Sequence, residues 1–227
     1  MFQFIQQQKD LENILHLMGQ TSVYGLDTEF IKVDTFWPKL GVFQINVAGQ
    51  VFLLDGTSLD LSAFWNRLFC AQQNIFHACS EDVDLIYHYS QQKSLSNVFD
   101  TQVGMSFLGH GLQVSYQNAL KHMLDVEIDK DQTRSDWLAR PLSSEQLSYA
   151  ANDVLYLMNL SNKIQQELSD KYLLDFVLED CRHLTHEIGQ ETPMAMLYHD
   201  VGNYRNSRKQ LMQLQQLAVW REQMVKA

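Results

Sequence analysis

The first part of the chain alternates short apolar runs with amphipathic stretches. Phe2–Ile5 reads as a short strand and Lys9–Met18 as an amphipathic helix. Val23–Phe30 reads as a strand, and Leu40–Val47 and Val51–Asp55 as two more, joined by the hairpin signal Ala48-Gly49-Gln50. Helix Leu61–Phe69, strand Asn74–Ala78 and a helix from a Ser80 cap to about Tyr89 follow. A strand ends at Val98-Phe99, and helices lie near Thr101–Leu108 and Gln113–Leu124. Asp125–Arg140 is polar and irregular. Ser143 and Gln146 then form a capping box for one long helix reaching about Asp170. A meander followed by alternating strands and helices predicts an α/β fold, a mixed sheet flanked by helices.

Beyond Lys171 the pattern is wholly helical: Tyr172–Ile188, a break at Gly189–Met194 containing Pro193, and a Gln-rich helix Tyr204–Lys226. The expected organisation is a catalytic-size domain at 1–170, a helical linker at 171–203 and a single helix at 204–227. That last helix runs to the final residue without a cap, as expected of a polypeptide cut inside a further domain.

Composition narrows the class. The 227 residues are 45% hydrophobic and 19% charged, which suits a packed core rather than disorder. Cys70, Cys79 and Cys181 are too few and too scattered for a disulfide framework or a zinc set. Met1–Asp10 lacks the pattern of a signal peptide, and no apolar run approaches the roughly 18 residues of a membrane span. A reduced, cytoplasmic protein with no membrane partner is expected. The formal charge is −10; residues 1–170 hold 20 acids against 10 bases, and residues 171–227 hold seven of each. Taken alone, that acidity argues against a nucleic-acid partner, whose footprint is usually basic.

The candidate chemistry lies in the acids. Asp-x-Glu occurs three times, at Asp10/Glu12, Asp27/Glu29 and Asp125/Glu127, so spacing alone selects none. Asp10 and Glu12 open a helix, where the dipole favours acids, and Asp125 and Glu127 follow a helix in polar surroundings. Asp27 and Glu29 lie in an apolar strand. There, residues i and i+2 share a face about 7 Å apart, and two buried anions call for a divalent cation. The alternative is a strand ending at Leu26, with both acids in a solvated loop. Asp82 sits in an acidic helix start that the dipole already explains, although the strand end before it is where sites in open α/β sheets gather. Tyr149 and Asp153 are spaced i, i+4 and share a helix face. An ordinary core tyrosine explains Tyr149 alone, yet it is the one tyrosine of nine with an Asp four residues on.

Taken together, Leu26-Asp27-Thr28-Glu29-Phe30, His77-Ala78-Cys79-Ser80-Glu81-Asp82 and Tyr149-Ala150-Ala151-Asn152-Asp153 resemble the three motifs of the DEDD superfamily of 3′→5′ exonucleases, in its tyrosine-containing branch. Asp100-Thr101, Asp129-Lys130 and Arg134-Ser135-Asp136-Trp137-Leu138-Ala139-Arg140-Pro141-Leu142 are similar to the ribonuclease D family within it. The likeness runs from about residue 1 to 185. It implies an RNase H-like fold and a site in which Asp27, Glu29, Asp82 and Asp153 hold two divalent cations, Mg²⁺ or Mn²⁺. Tyr149 would orient the attacking water, and 5′-mononucleotides would leave RNA 3′ ends, with tRNA precursors as expected partners.

Further along, Leu214-x-x-Leu217-x-x-Trp220-Arg221 resembles the opening helix of the HRDC domain that follows in that family. Supporting roles fall to Phe30, stacking on a base or packing in the core, and to Lys130, Arg134 and Arg140, meeting phosphates or forming ordinary ion pairs. Trp137 is expected to anchor its loop, and His77 to hydrogen-bond at a strand end. A monomer is expected. Bound cations would make the field favourable to phosphate where they sit, leaving a weak, salt-sensitive grip elsewhere. Two other readings stay open: an exonuclease fold that only binds RNA or a protein, and the same chemistry on DNA.

Overall fold

The computed structural model describes residues 2–33, 35–128, 135–190, 192–199, 201 and 205–226. Six strands form one mixed sheet: β1 (Phe2–Ile5), β2 (Val23–Ile31), β3 (Lys39–Val47), β4 (Gln50–Asp55), β5 (Gln73–Phe76) and β6 (Val98–Asp100). Their order is β1-β4-β3-β2-β5-β6. β2, β3 and β4 make the antiparallel meander, while β1, β5 and β6 each join in parallel. Ala48 and Gly49 turn the β3–β4 hairpin with φ of 51° and 83°, the left-handed pair that suits the twist of the strands.

Period-2 alternation sorts the strand residues into two layers. Leu26, Phe43, Ile45, Phe52 and Leu54 pack on one side, under α1 (Gln8–Met18), α2 (Ser62–Phe69) and α3 (Ser80–Ser90). Val42, Leu53, Ile75 and Phe99 pack on the other, under α4 (Thr101–Phe107), α5 (Tyr116–Leu124), α6 (Ser144–Leu155), α7 (Leu157–Asp170) and α8 (Leu174–Gly189). This is the expected mixed sheet flanked by helices.

Two expectations are corrected. The single helix expected from Ser143 to Asp170 is divided at Tyr156, whose φ and ψ are −100° and −3°. The cause is tertiary: the Asn46 carboxamide, on β3, donates to the carbonyls of Val154 and Leu155 at 3.0 and 3.3 Å, so the helix can change direction there without stranding buried acceptors. Ser80 does not cap α3, which starts without any side-chain cap. The Asp100 carboxylate holds that turn instead. It accepts the amides of Ala78 and Cys79 at 3.0 and 2.8 Å and caps α4 through the Gln102 amide at 2.7 Å.

The compact unit reaches Gly189. It takes in α8, which packs on α3, α4 and β6 and buries Val177 and Cys181, whereas the sequence pattern places this helix in a linker. A second unit spans Gln190–Ala227. Within it, a 3₁₀ turn at Leu197–His199 precedes α9 (Arg208–Lys226), and Gln215 donates to the Ala195 carbonyl at 3.0 Å. Among the described residues no helix is long and apolar enough to cross a membrane.

Candidate metal centre and active site

β2 continues through Asp27 and Glu29 to Ile31, so these acids lie in a strand and not in a loop. Asp27 faces Gln44 across the β2–β3 ladder and Glu29 faces Val42, which sets both on the side covered by α6. The capping box forms as expected: Ser143 Oγ accepts the Gln146 amide at 3.2 Å, and Gln146 Oε1 accepts the Ser143 amide at 2.9 Å. This fixes the start of α6, and Tyr149 and Asp153 follow on one face of it. One carboxylate oxygen from each of Asp27, Glu29 and Asp153 lies within 4.8 Å of the others. Asp82 arrives from the opposite layer, in the first turn of α3, and Thr28 Oγ1 donates to its Oδ1 at 2.5 Å.

Crowding these acids in a dry place drives their protons on. Burial, then Asp82, Asp153 and Glu29, push the Asp27 carboxyl well above the usual carboxylate range. Burial, then Asp153 and Asp82, push Glu29 up to about 9. Burial and then Asp82 push Asp153 up to about 8. Asp82 is pushed up to about 7 by burial, although the Thr28 hydroxyl opposes the shift. Among the described residues no positive side chain counts among the main influences on any of the four, and Asp153 Oδ2 is buried without a hydrogen-bond partner among them. A cluster of hard oxygen donors, short of positive charge and holding an orphaned carboxylate oxygen, fits divalent cations such as Mg²⁺ or Mn²⁺.

The comparisons with known proteins point the same way. The family model for 3′-5′ exonuclease matches residues 2–169. This chain belongs to that family. A ribonuclease D of Shewanella sp. (strain ANA-3) is 35% identical over 225 residues, which are 97% of this chain and 57% of that protein. The ribonuclease D of Haemophilus influenzae is 35% identical over 97% of this chain and 56% of its own length. The crystal structure of Escherichia coli RNase D, described as an exoribonuclease involved in structured RNA processing, superposes with a TM-score of 0.90. It is 27% identical, over 100% of this chain and 61% of that one. The chain thus spans a little over half the length of the curated relatives it matches.

Around this exonuclease site the other expected residues fall out differently. Tyr149 lies against the cluster; burial, then Asp153, Glu29 and Asp27, raise its phenol far above the ordinary value, so it stays protonated. Its ring stands 6.2 Å from that of Trp137. Trp137 is buried, and its carbonyl would lie 2.5 Å from a Cβ at Gly41, so the glycine lets the loop sit directly on the sheet and Trp137 anchors it. Phe30 follows a bulge in the β2–β3 ladder and packs part-buried against the layer of α1 to α3. Lys130 and Arg134 lie outside the described residues.

Arg140 is corrected. Its Nε and Nη2 donate to the two Asp55 oxygens at 2.9 and 2.5 Å, Nη1 donates to the Trp137 and Ala139 carbonyls, and Nη2 also to the Gly41 carbonyl. All five N–H groups are engaged within the protein, leaving none for a phosphate, and the ordinary ion pair is the role observed. His77 hydrogen-bonds at the strand end, with Nδ1 2.9 Å from Thr101 Oγ1 and Nε2 2.8 Å from the Val114 carbonyl.

Three residues carry roles that the sequence did not assign them. Thr28 lies between the two acids, and its alternate-face position was the available clue. Asp100 carries the N-cap signal of an acid just before a helix. Tyr116 gave no signal in the sequence.

Proposed function

We propose that this chain is a metal-dependent 3′→5′ exoribonuclease that releases 5′-mononucleotides from RNA 3′ ends. The observation that carries the reading is the convergence of Asp27, Glu29 and Asp153 around an orphaned buried oxygen, with Tyr149 beside them. The relatives named ribonuclease D support RNA as the substrate class, the description of the Escherichia coli enzyme supports structured RNA, and tRNA precursors are the structured RNA we propose. The protein is read as cytoplasmic and monomeric, with residues 204–227 as the opening helix of an HRDC-like domain.

Asp27, Glu29 and Asp153 would hold one cation, and Asp27 with Asp82 would hold the second. Bound there, two divalent ions supply the positive charge that makes water nucleophilic near neutral pH and stabilises a leaving 3′ oxygen. The chain does the rest. Tyr149 keeps its proton and so acts as a hydrogen-bonding guide for the attacking water rather than as its base. Phe30 is the candidate to stack on the terminal base. Lys130 and Arg134 are candidate phosphate contacts.

The test uses one RNA labelled at either end, and the same sequence as DNA, under a single Mn²⁺ condition. Mononucleotides from the 3′ end of RNA, abolished by Asp27→Asn, are expected. Retained turnover in that variant sinks the metal assignment. Retained binding without turnover in the parent protein favours the binding-module reading. Equal rates on DNA remove the RNA preference, which depends on 2′-hydroxyl contacts.

A further inference from the structure

A cavity of about 50 Å³ is lined by Leu26, Asp27, His77, Tyr116, Asp153 and Leu157, room enough for an ordered water. His77 has both ring nitrogens occupied, by Thr101 and by the Val114 carbonyl. A carbonyl only accepts, so Nε2 carries a proton, and Nδ1 faces the Thr101 hydroxyl, which itself donates to the Phe76 carbonyl. His77 therefore has nothing to offer the cavity. Two buried polar atoms of the lining residues lack a well-formed hydrogen bond: Asp153 Oδ2 and the Tyr116 hydroxyl, whose oxygen is approached by the Tyr156 backbone amide, a group that can only donate, so that the phenol's proton has no acceptor. Tyr116 is the first residue of α5 and only 8% exposed, and its ring lies 5.5 Å from the His77 ring. One atom is a phenol that can donate and the other a carboxylate oxygen that can only accept. Unpaired buried polar atoms are rare in folded proteins, and two complementary ones on residues that line one cavity with room for water call for a common partner.

We propose that Tyr116 is a positioning residue of the metal site: its hydroxyl, through a water in this cavity, donates towards Asp153 and holds that carboxylate in the orientation that binds a cation. The proposal rests on the reading of Asp153 as a metal ligand. Groups that orient ligands from behind in this way commonly set metal affinity without touching substrate. Tyr116 belongs to α5 and Asp153 to α6, so the contact also ties together two helices that flank the site.

The test compares the parent chain with Tyr116→Phe and Asp153→Asn. Tyr116→Phe removes one oxygen and keeps the ring on His77. Calorimetric Mn²⁺ affinity and the Mn²⁺-dependent shift in melting temperature are read first, then kcat and KM on RNA as Mn²⁺ is varied. The expected result is Mn²⁺ affinity weakened about 10-fold in Tyr116→Phe, an unchanged KM for RNA, and kcat recovering at high Mn²⁺. Asp153→Asn should lose the site outright. Parental Mn²⁺ affinity in Tyr116→Phe, with Asp153→Asn defective, overturns the role of Tyr116 and leaves the metal site standing. A change in KM for RNA at saturating Mn²⁺ also overturns it, because the hydroxyl would then be meeting substrate. Absence of Mn²⁺ binding in the parent chain overturns the metal reading and this proposal with it.

Discussion

Glu29 and Asp55 stand in one row across the sheet, each paired with Val42 from opposite sides. Directly paired residues share a face, and two strand spacings are roughly 10 Å. Yet the two acids are driven in opposite directions. Glu29 is pushed up to about 9 by burial, Asp153 and Asp82. Asp55 is also opposed by burial, but Arg140, Thr57 and Gln6 hydrogen-bond to it and hold it below the usual carboxylate range. Burial therefore does not decide the state of an acid in this sheet; its partners do. Asp55 has its counter-charge in the chain, whereas the row-mate beside the site is left with other carboxylates. Among the described residues one acid is fully satisfied and four others are short of positive charge, the arrangement that suits a cation from solution.

The sharpest way to break the contrast is Asp27→Asn. Activity should fall by about 10³-fold or more, while the metal-free protein should melt higher than the parent, since folding no longer has to drive a proton onto position 27. A rapid-quench assay and a melting curve without metal check the two halves, and parental activity would erase the distinction between the two regions.

Arg140→Met attacks the other side. It leaves Asp55 buried without its partner, a change that typically costs about 3–5 kcal/mol, and the denaturant midpoint should drop accordingly. The fraction that stays folded should keep its specific activity, because Arg140 meets no substrate in this account. A selective loss of kcat at full stability would contradict it.

Tyr149→Phe is expected to lower kcat by about 10²-fold with little change in Mn²⁺ affinity, separating the guiding phenol from the ligands. Equal losses in both would assign Tyr149 to holding the cation.

The smallest effect is a slope. In the metal-free protein Asp82, Asp153 and Glu29 titrate near 7, 8 and 9 when folded, against about 4 when unfolded. The folded state then binds more protons than the unfolded state across this range, so stability must decline as pH rises from about 6.5 to 9. Asp55, shifted the other way, gives stability that is present at neutral pH and lost only in acid. Saturating Mg²⁺ should flatten the decline between pH 6.5 and 9, because cation binding replaces the protons. A metal-free melting temperature that climbs through that window would refute the raised values.

Much of this contrast was legible along the chain, and the rest was not for identifiable reasons. The meander, its hairpin and the Ser143–Gln146 box are local patterns, and they appear where period and capping chemistry put them. The motif acids could be chosen from their lookalikes by apolar context and by the order of the motifs. Arg140 could not be placed, because its partner Asp55 lies 85 residues away and a basic residue in a polar loop suits a phosphate equally well. The break at Tyr156 is hidden for the same reason, since the agent is Asn46 on a strand more than 100 residues earlier. Tyr116 reads as one more aromatic on an amphipathic helix until the cavity behind it is seen.

The hydrogen bond from Thr28 to Asp82 gives β2 a property that goes beyond this one site. Asp27 and Glu29 serve the layer of α6, and the residue between them serves the layer of α3. The strand is thus a two-track line whose tracks are odd and even positions. Inserting one residue in the chain just ahead of Asp27, with the pairing otherwise kept, would exchange the tracks and bury both acids among Phe43 and Ile45. Inserting two would shift the site along the strand and leave each side chain on its proper layer. What inheritance must guard at this position is the parity of the strand more than its length.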